Sequence, residues 1–152
     1  MTPLFRKLNL KGEAVILVVN APDSFERELA ALNDVEVRRS PDEMHRIGFA
    51  LAFTTSSAEV DDCAGRILLK AEGDAVVWFA YPKKSSKRYQ TDISRDRGWE
   101  ALGAAGLECV RQVSIDEDWS AGRFRRVGYI KTMTRDKNRA ATSEGKARLS
   151  GS

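Results

Sequence analysis

Seven consecutive apolar residues, Ala75-Val76-Val77-Trp78-Phe79-Ala80-Tyr81, end abruptly at Pro82-Lys83-Lys84. A strand that is apolar at every position is buried on both faces, as in a parallel sheet covered by helices on each side. Residues 14–19 and 47–53 show the same pattern, with Gly48 as the weak point of the second. Helical periodicity fills the gaps between these runs. After Asn20-Ala21-Pro22, Asp23 and Glu26 are spaced like a capping box, and Phe25, Leu29 and Leu32 share one face of a short helix ending near Asn33-Asp34. Residues 35–37 predict a brief strand closed by Arg38-Arg39-Ser40-Pro41, and the polar segment to Arg46 predicts a loop or one helical turn.

The second half repeats the alternation. Ser56 and Glu59 form an S-x-x-E start signal, and Val60, Cys63, Ala64, Ile67, Leu68 and Ala71 keep the helical period over 57–71, with Gly73 as the stop. Beyond the strand at 75–81, residues 82–92 make a polar, cationic loop. A helix is expected from Ser94 or Arg95 to Ala105, burying Trp99 and Leu102. Gly106 precedes a strand over 107–115. A turn over 116–122 contains Trp119, and residues 124–130 return as the second arm of a hairpin. The pattern predicts a single α/β, Rossmann-like domain over 1–130, with a mostly parallel sheet of about six strands and an antiparallel C-terminal hairpin at one edge. The expected strand order is 35–37, 14–19, 47–54, 75–81, 107–115, 123–130.

Charge changes this picture only at the C-terminus. Of the formal +3 carried by 152 residues, the last 22 hold six Lys/Arg and two Asp/Glu, a net of +4, leaving −1 for residues 1–130. A nucleic-acid footprint spread over the folded domain is therefore not supported. Residues 131–152 are expected to be a disordered basic tail, and salt-dependent nucleic-acid contacts through it are one alternative function. Cys63 and Cys109 are 46 residues apart, with no C-x-x-C and only one histidine, His45, so no metal site is expected. Two such cysteines read as thiols of a reducing cytoplasm. Arg6, Lys7 and Lys11 ahead of 14–19 mimic a secretory signal, but the run is short, abuts Glu13 and reads as a buried strand. No stretch approaches the ~18 apolar residues of a membrane span, so no membrane partner is expected.

Residues 64–127 resemble the second half of a class I, Rossmann-like methyltransferase fold. Ile67-Leu68-Leu69-Lys70-Ala71-Glu72-Gly73-Asp74 stands where that fold carries an LLKPGG-type turn into a buried strand. Trp78 through Lys84, Thr91-Asp92-Ile93, Ala105-Gly106-Leu107 and Asp118-Trp119-Ser120 further resemble an uncharacterised bacterial family of small domains with the order W-x-x-x-P-K, D-[IL], A-G-L, D-W-S. The resemblance implies the fold and brings no activity with it. A methyltransferase of this class holds S-adenosylmethionine with a Gly-rich turn after its first strand and an acidic residue ending its second. Here those positions read Asn20-Ala21-Pro22-Asp23-Ser24 and Arg38-Arg39. No cofactor is expected, and a degenerate S-adenosylmethionine-dependent enzyme is the alternative.

Candidate chemistry collects where strands end, because open α/β sheets bind ligands outside the carboxyl ends of their strands. Lys83, Lys84, Lys87, Arg88, Arg95 and Arg97 against Asp92 and Asp96 give residues 83–97 a net of +4. This suits an anion site completed by backbone N–H groups where the next helix begins, and it also suits a solvated loop. Asn20, Thr54, Thr55, Ser56, Tyr81 and Lys83 leave the ends of neighbouring strands. The expected ligand-binding residues are Asn20, Lys83, Lys84, Lys87 and Arg88. Tyr81 and Lys84 are one residue too close for the Y-x-x-x-K pair of short-chain dehydrogenases. Asp116-Glu117-Asp118 reads as a solvated turn, and His45 has no nucleophile tied to it by motif. With no P-loop, nucleophile elbow or H-E-x-x-H, no catalytic residue is assigned. The expected function is binding or regulation, the partner an anionic small molecule or a protein. Nothing in the sequence sets an oligomeric state.

Overall fold

A computed structural model describes residues 2–130. The basic tail, and with it the nucleic-acid alternative, lies outside the described residues. Six strands form one sheet: β1 (Val15–Val19), β2 (Glu36–Arg38), β3 (Phe49–Phe53), β4 (Val76–Pro82), β5 (Leu107–Ser114) and β6 (Trp119–Arg126). Their order is β2-β1-β3-β4-β6-β5. The first four run parallel, with Leu17 beside Ala50 and Leu51 beside Trp78, and β6 runs antiparallel to β4 and β5.

Consecutive apolar residues work as expected in β1, β3 and β4, because alternate side chains feed two cores. Leu17, Ala50, Val77 and Phe79 face one side, covered by α3 (Ser57–Leu68) and α4 (Glu100–Ala104) through Val60, Ile67 and Leu102. Ile16, Phe49, Leu51 and Trp78 face the other, covered by α1 (Pro3–Lys7) and by the 3-10 turn Asp23–Phe25 that leads into α2 (Glu26–Ala30). Helix α1 was not anticipated. Thr2 caps it by accepting the Phe5 N–H at 3.1 Å, and the buried Trp78 indole N–H donates to the Leu8 carbonyl at 2.7 Å. One indole thus fastens the N-terminal segment across the sheet.

Four expectations are corrected. The hairpin enters in the opposite sense, with β6 rather than β5 beside β4, so β5 becomes the edge. Strand β6 begins at Trp119 and ends at Arg126, where the 3-10 turn Val127–Tyr129 takes over. Trp119 belongs to the strand rather than the turn because it pairs with Pro82 of β4, and its ring packs on Phe53 with centroids 5.1 Å apart. The helix expected from Ser94 starts only at Glu100. Gly98 at φ +99° breaks helical geometry, and Ser94 and Arg97 instead form an isolated antiparallel bridge. Helix α3 also stops three residues short of the expected end, at Leu68. Strand β5 carries a register shift between Cys109 and Arg111. No helix among the described residues is long and apolar enough to cross a membrane, and no group of metal-ligating side chains converges among them.

Candidate functional site at the carboxyl edge

Strand β3 runs into Thr54, which is buried and donates both its backbone N–H and its hydroxyl to the Ala80 carbonyl at 2.9 Å. Thr55 donates through backbone N–H and hydroxyl to Glu59, and Ser56 caps α3 by accepting the Glu59 N–H at 3.2 Å. The polar residues at the end of β3 are therefore absorbed in starting α3. Tyr81 turns to the α3 and α4 side, edge-on to Trp99 at 5.4 Å, and its hydroxyl donates to Gln112 Oε1 at 3.0 Å. Burial raises the Tyr81 phenol above its ordinary value.

The loop after β4 builds a different enclosure. A cleft of about 680 Å³ is lined by residues of 83–97, among them Lys83, Lys84, Tyr89, Asp92 and Arg97. Lys83 is held by its N–H to the Asp118 carbonyl at 2.8 Å and by its ammonium to Ser114 Oγ at 2.7 Å. Lys84 and Arg97 are exposed. Lys87 and Arg88 do not line the cleft, and Arg88 turns toward Asp118 at 3.9 Å. Asn20 is exposed at the end of β1, two strands away from β4, in the left-handed region at φ 57°. The structure thus brings together Lys83 and Lys84 of the five expected residues. The backbone N–H groups of a following helix play no part, since α4 begins beyond the cleft.

Among the described residues, Asp92 is the only carboxylate lining the cleft, and it is engaged. Oδ1 accepts the Ser57 N–H at 2.8 Å and Oδ2 the Ser57 hydroxyl at 2.6 Å, at the first turn of α3. These bonds hold the carboxyl below its ordinary value. Tyr89, Thr91, Ile93 and Ser94 are further lining residues that charge counting did not single out.

No family model matches the chain, and no curated protein matches it. Solved structures do. The magnesium protoporphyrin IX methyltransferase ChlM of Synechocystis, with bound S-adenosylmethionine, superposes with a TM-score of 0.51 at 12% identity, covering 81% of this chain and 74% of that one. The N-methyltransferase NodS of Bradyrhizobium japonicum gives 0.48 at 11%, covering 81% and 91%. A putative type 11 methyltransferase from Sulfolobus solfataricus gives 0.46 at 10%, covering 88% and 93%. The fold is that of the class I methyltransferases.

The residues that would hold the cofactor of that fold do not fit it. The turn after β1 passes through Asn20 and Ala21 to Pro22, so side chains stand where close backbone approach is needed. Strand β2 ends at Arg38 and is followed by Arg39, with no carboxylate there for ribose hydroxyls. Arg39 reaches Glu26 at the start of α2 through two bonds of 2.7 and 2.8 Å. That ion pair ties the end of β2 to the first helix after β1, and holds the Glu26 carboxyl below its ordinary value.

Proposed function

We propose that the protein is a non-catalytic binding module that holds an anionic small molecule in the cleft formed by residues 83–97. The charge arrangement there carries the reading. Among the described residues, Lys83, Lys84 and Arg97 line the cleft, and its one carboxylate, Asp92, is occupied by the positive end of α3. An entering anion therefore meets three cations without facing an uncompensated negative charge.

The alternative is a methyltransferase-like enzyme with an unusual cofactor mode. The bound S-adenosylmethionine of the Synechocystis neighbour motivates it, while the residues ending β1 and β2 argue against it.

Thermal unfolding of the full chain in the presence of inorganic phosphate, small carboxylates and S-adenosylmethionine tests both. Ligand at 100 times its dissociation constant stabilises by about 2.7 kcal/mol, a rise of roughly 2–8 °C for domains of this size. A rise with anions that disappears in Lys84→Ala and Arg97→Ala supports the binding module. A rise with S-adenosylmethionine alone transfers support to the enzyme. Silence toward all anions overturns the proposal.

A further inference from the structure

We infer that the cleft takes a phosphate monoester carried on a planar ring. The inference rests on the anion-binding reading above and adds the chemistry of the ligand. At about 680 Å³ the cleft is far larger than a bare oxyanion, and lies within the ~300–1,000 Å³ usual for small-molecule sites. The cleft thus has room for a body larger than the anionic group itself.

One part of the lining suits that body. Tyr89 is the apolar member with surface to offer, since Ile93 is buried in the core beneath α3 and α4. The Tyr89 ring is braced against Trp119 at 4.8 Å, and Trp119 in turn against Phe53 at 5.1 Å. A ring held in this way offers a fixed stacking surface and loses little side-chain freedom on binding.

The rest suits a dianion. Lys83, its ammonium anchored on Ser114, and Lys84 bring two positive charges to the lining, and Arg97 brings a guanidinium, whose fork matches two oxygens of a phosphoryl group. Thr91 Oγ1 accepts the Ile93 N–H at 2.9 Å, and Ser94 Oγ accepts the Asp96 N–H at 3.4 Å. Both hydroxyls are used as acceptors in these bonds, which leaves their protons to donate to an oxyanion.

Calorimetric titration of the full chain with inorganic phosphate, benzoate, phenyl phosphate and adenosine monophosphate tests the inference. Phenyl phosphate or the nucleotide is expected to bind at least about tenfold more tightly than inorganic phosphate or benzoate, the gain from combining a stacked ring with a doubly charged group. Tyr89→Leu should weaken the ring esters about fivefold and leave inorganic phosphate within about twofold. Lys84→Ala and Arg97→Ala should each weaken every phosphate probe about tenfold, with melting temperatures confirming that the exposed substitutions leave the fold intact. Equal affinity for inorganic and phenyl phosphate, or indifference to Tyr89→Leu, overturns the ring while the anion cleft survives. Benzoate binding as tightly as phenyl phosphate overturns the dianion. Failure of every probe overturns both readings.

Discussion

Asp92 grips Ser57 with both carboxylate oxygens, one on the backbone N–H at 2.8 Å and one on the hydroxyl at 2.6 Å, although the two residues are 35 positions apart. The contact pins the long connection after β4 to the first turn of α3. Its opposite flank is pinned by Ser86, which donates to Asp118 at 2.9 Å in the hairpin turn. A segment with little regular structure is thus fixed at two points, and the cleft lies within it.

Removing the first anchor should lower stability in a pH-dependent way. Asp92 lies below its ordinary value of 3.8 in the folded chain, chiefly through its bonds to the Ser57 side chain and backbone. Its stabilisation is present above the unfolded value and is lost as pH falls through the folded one. Asp92→Ala should melt below the parent at neutral pH, and the gap should close as the pH drops beneath 3.8. Melting curves across that range check this, and a gap independent of pH would contradict it.

Trp78→Phe removes the indole N–H that satisfies the Leu8 carbonyl at 2.7 Å, at a fully buried position. The lost bond and the unfilled volume should together cost about 2–4 kcal/mol, read as a lowered urea midpoint at unchanged slope. Hydrogen exchange should quicken at Leu8 and Leu10 before it does in β3.

Gly98→Ala places a Cβ 3.2 and 3.3 Å from the Ile93 side chain, at a φ of +99° that L-residues avoid. A loss of about 1–3 kcal/mol is expected. Because Ile93 lines the cleft, anion affinity should fall in the same variant. Paired unfolding and titration measurements would show whether the two losses travel together.

Burial pushes the Cys63 thiol up to about 11, with Asp62 and Glu59 adding to the effect. Few thiolates form there at pH 8, so a thiol-disulfide reagent should label the half-buried Cys109 in the folded protein and reach Cys63 only on unfolding. Rapid labelling of both cysteines without denaturant would contradict the packing of α3.

The parallel strands were legible because burial on both faces leaves an unbroken apolar run, and α3 because Ser56 and Glu59 mark its start. The hairpin was read less accurately. Arg123-Phe124-Arg125 shows its alternation plainly, but Trp119 reads as a turn residue, since its pairing with Pro82 and its ring contacts with Phe53 and Tyr89 are all tertiary. The five-residue α1 is not legible in the sequence, because Thr2-Pro3 and Phe5 give too short a pattern to stand apart from coil. At the site, the charges of Lys83 and Lys84 mark the strand end beside which the cleft opens. Which other cations would join them depended on how the loop folds. Arg88 is drawn toward Asp118, while the bridge between Ser94 and Arg97 carries Arg97 to the cleft.

The register shift between Cys109 and Arg111 also bears on how copies of the chain meet. A neighbouring molecule trying to extend the sheet along β5 finds an interrupted ladder with the charged Arg111 exposed beside it. At the opposite margin, β2 offers only three residues, two of them Glu36 and Arg38. Neither margin is a good template for intermolecular strand addition, so the open sheet carries its own protection against edge-to-edge aggregation.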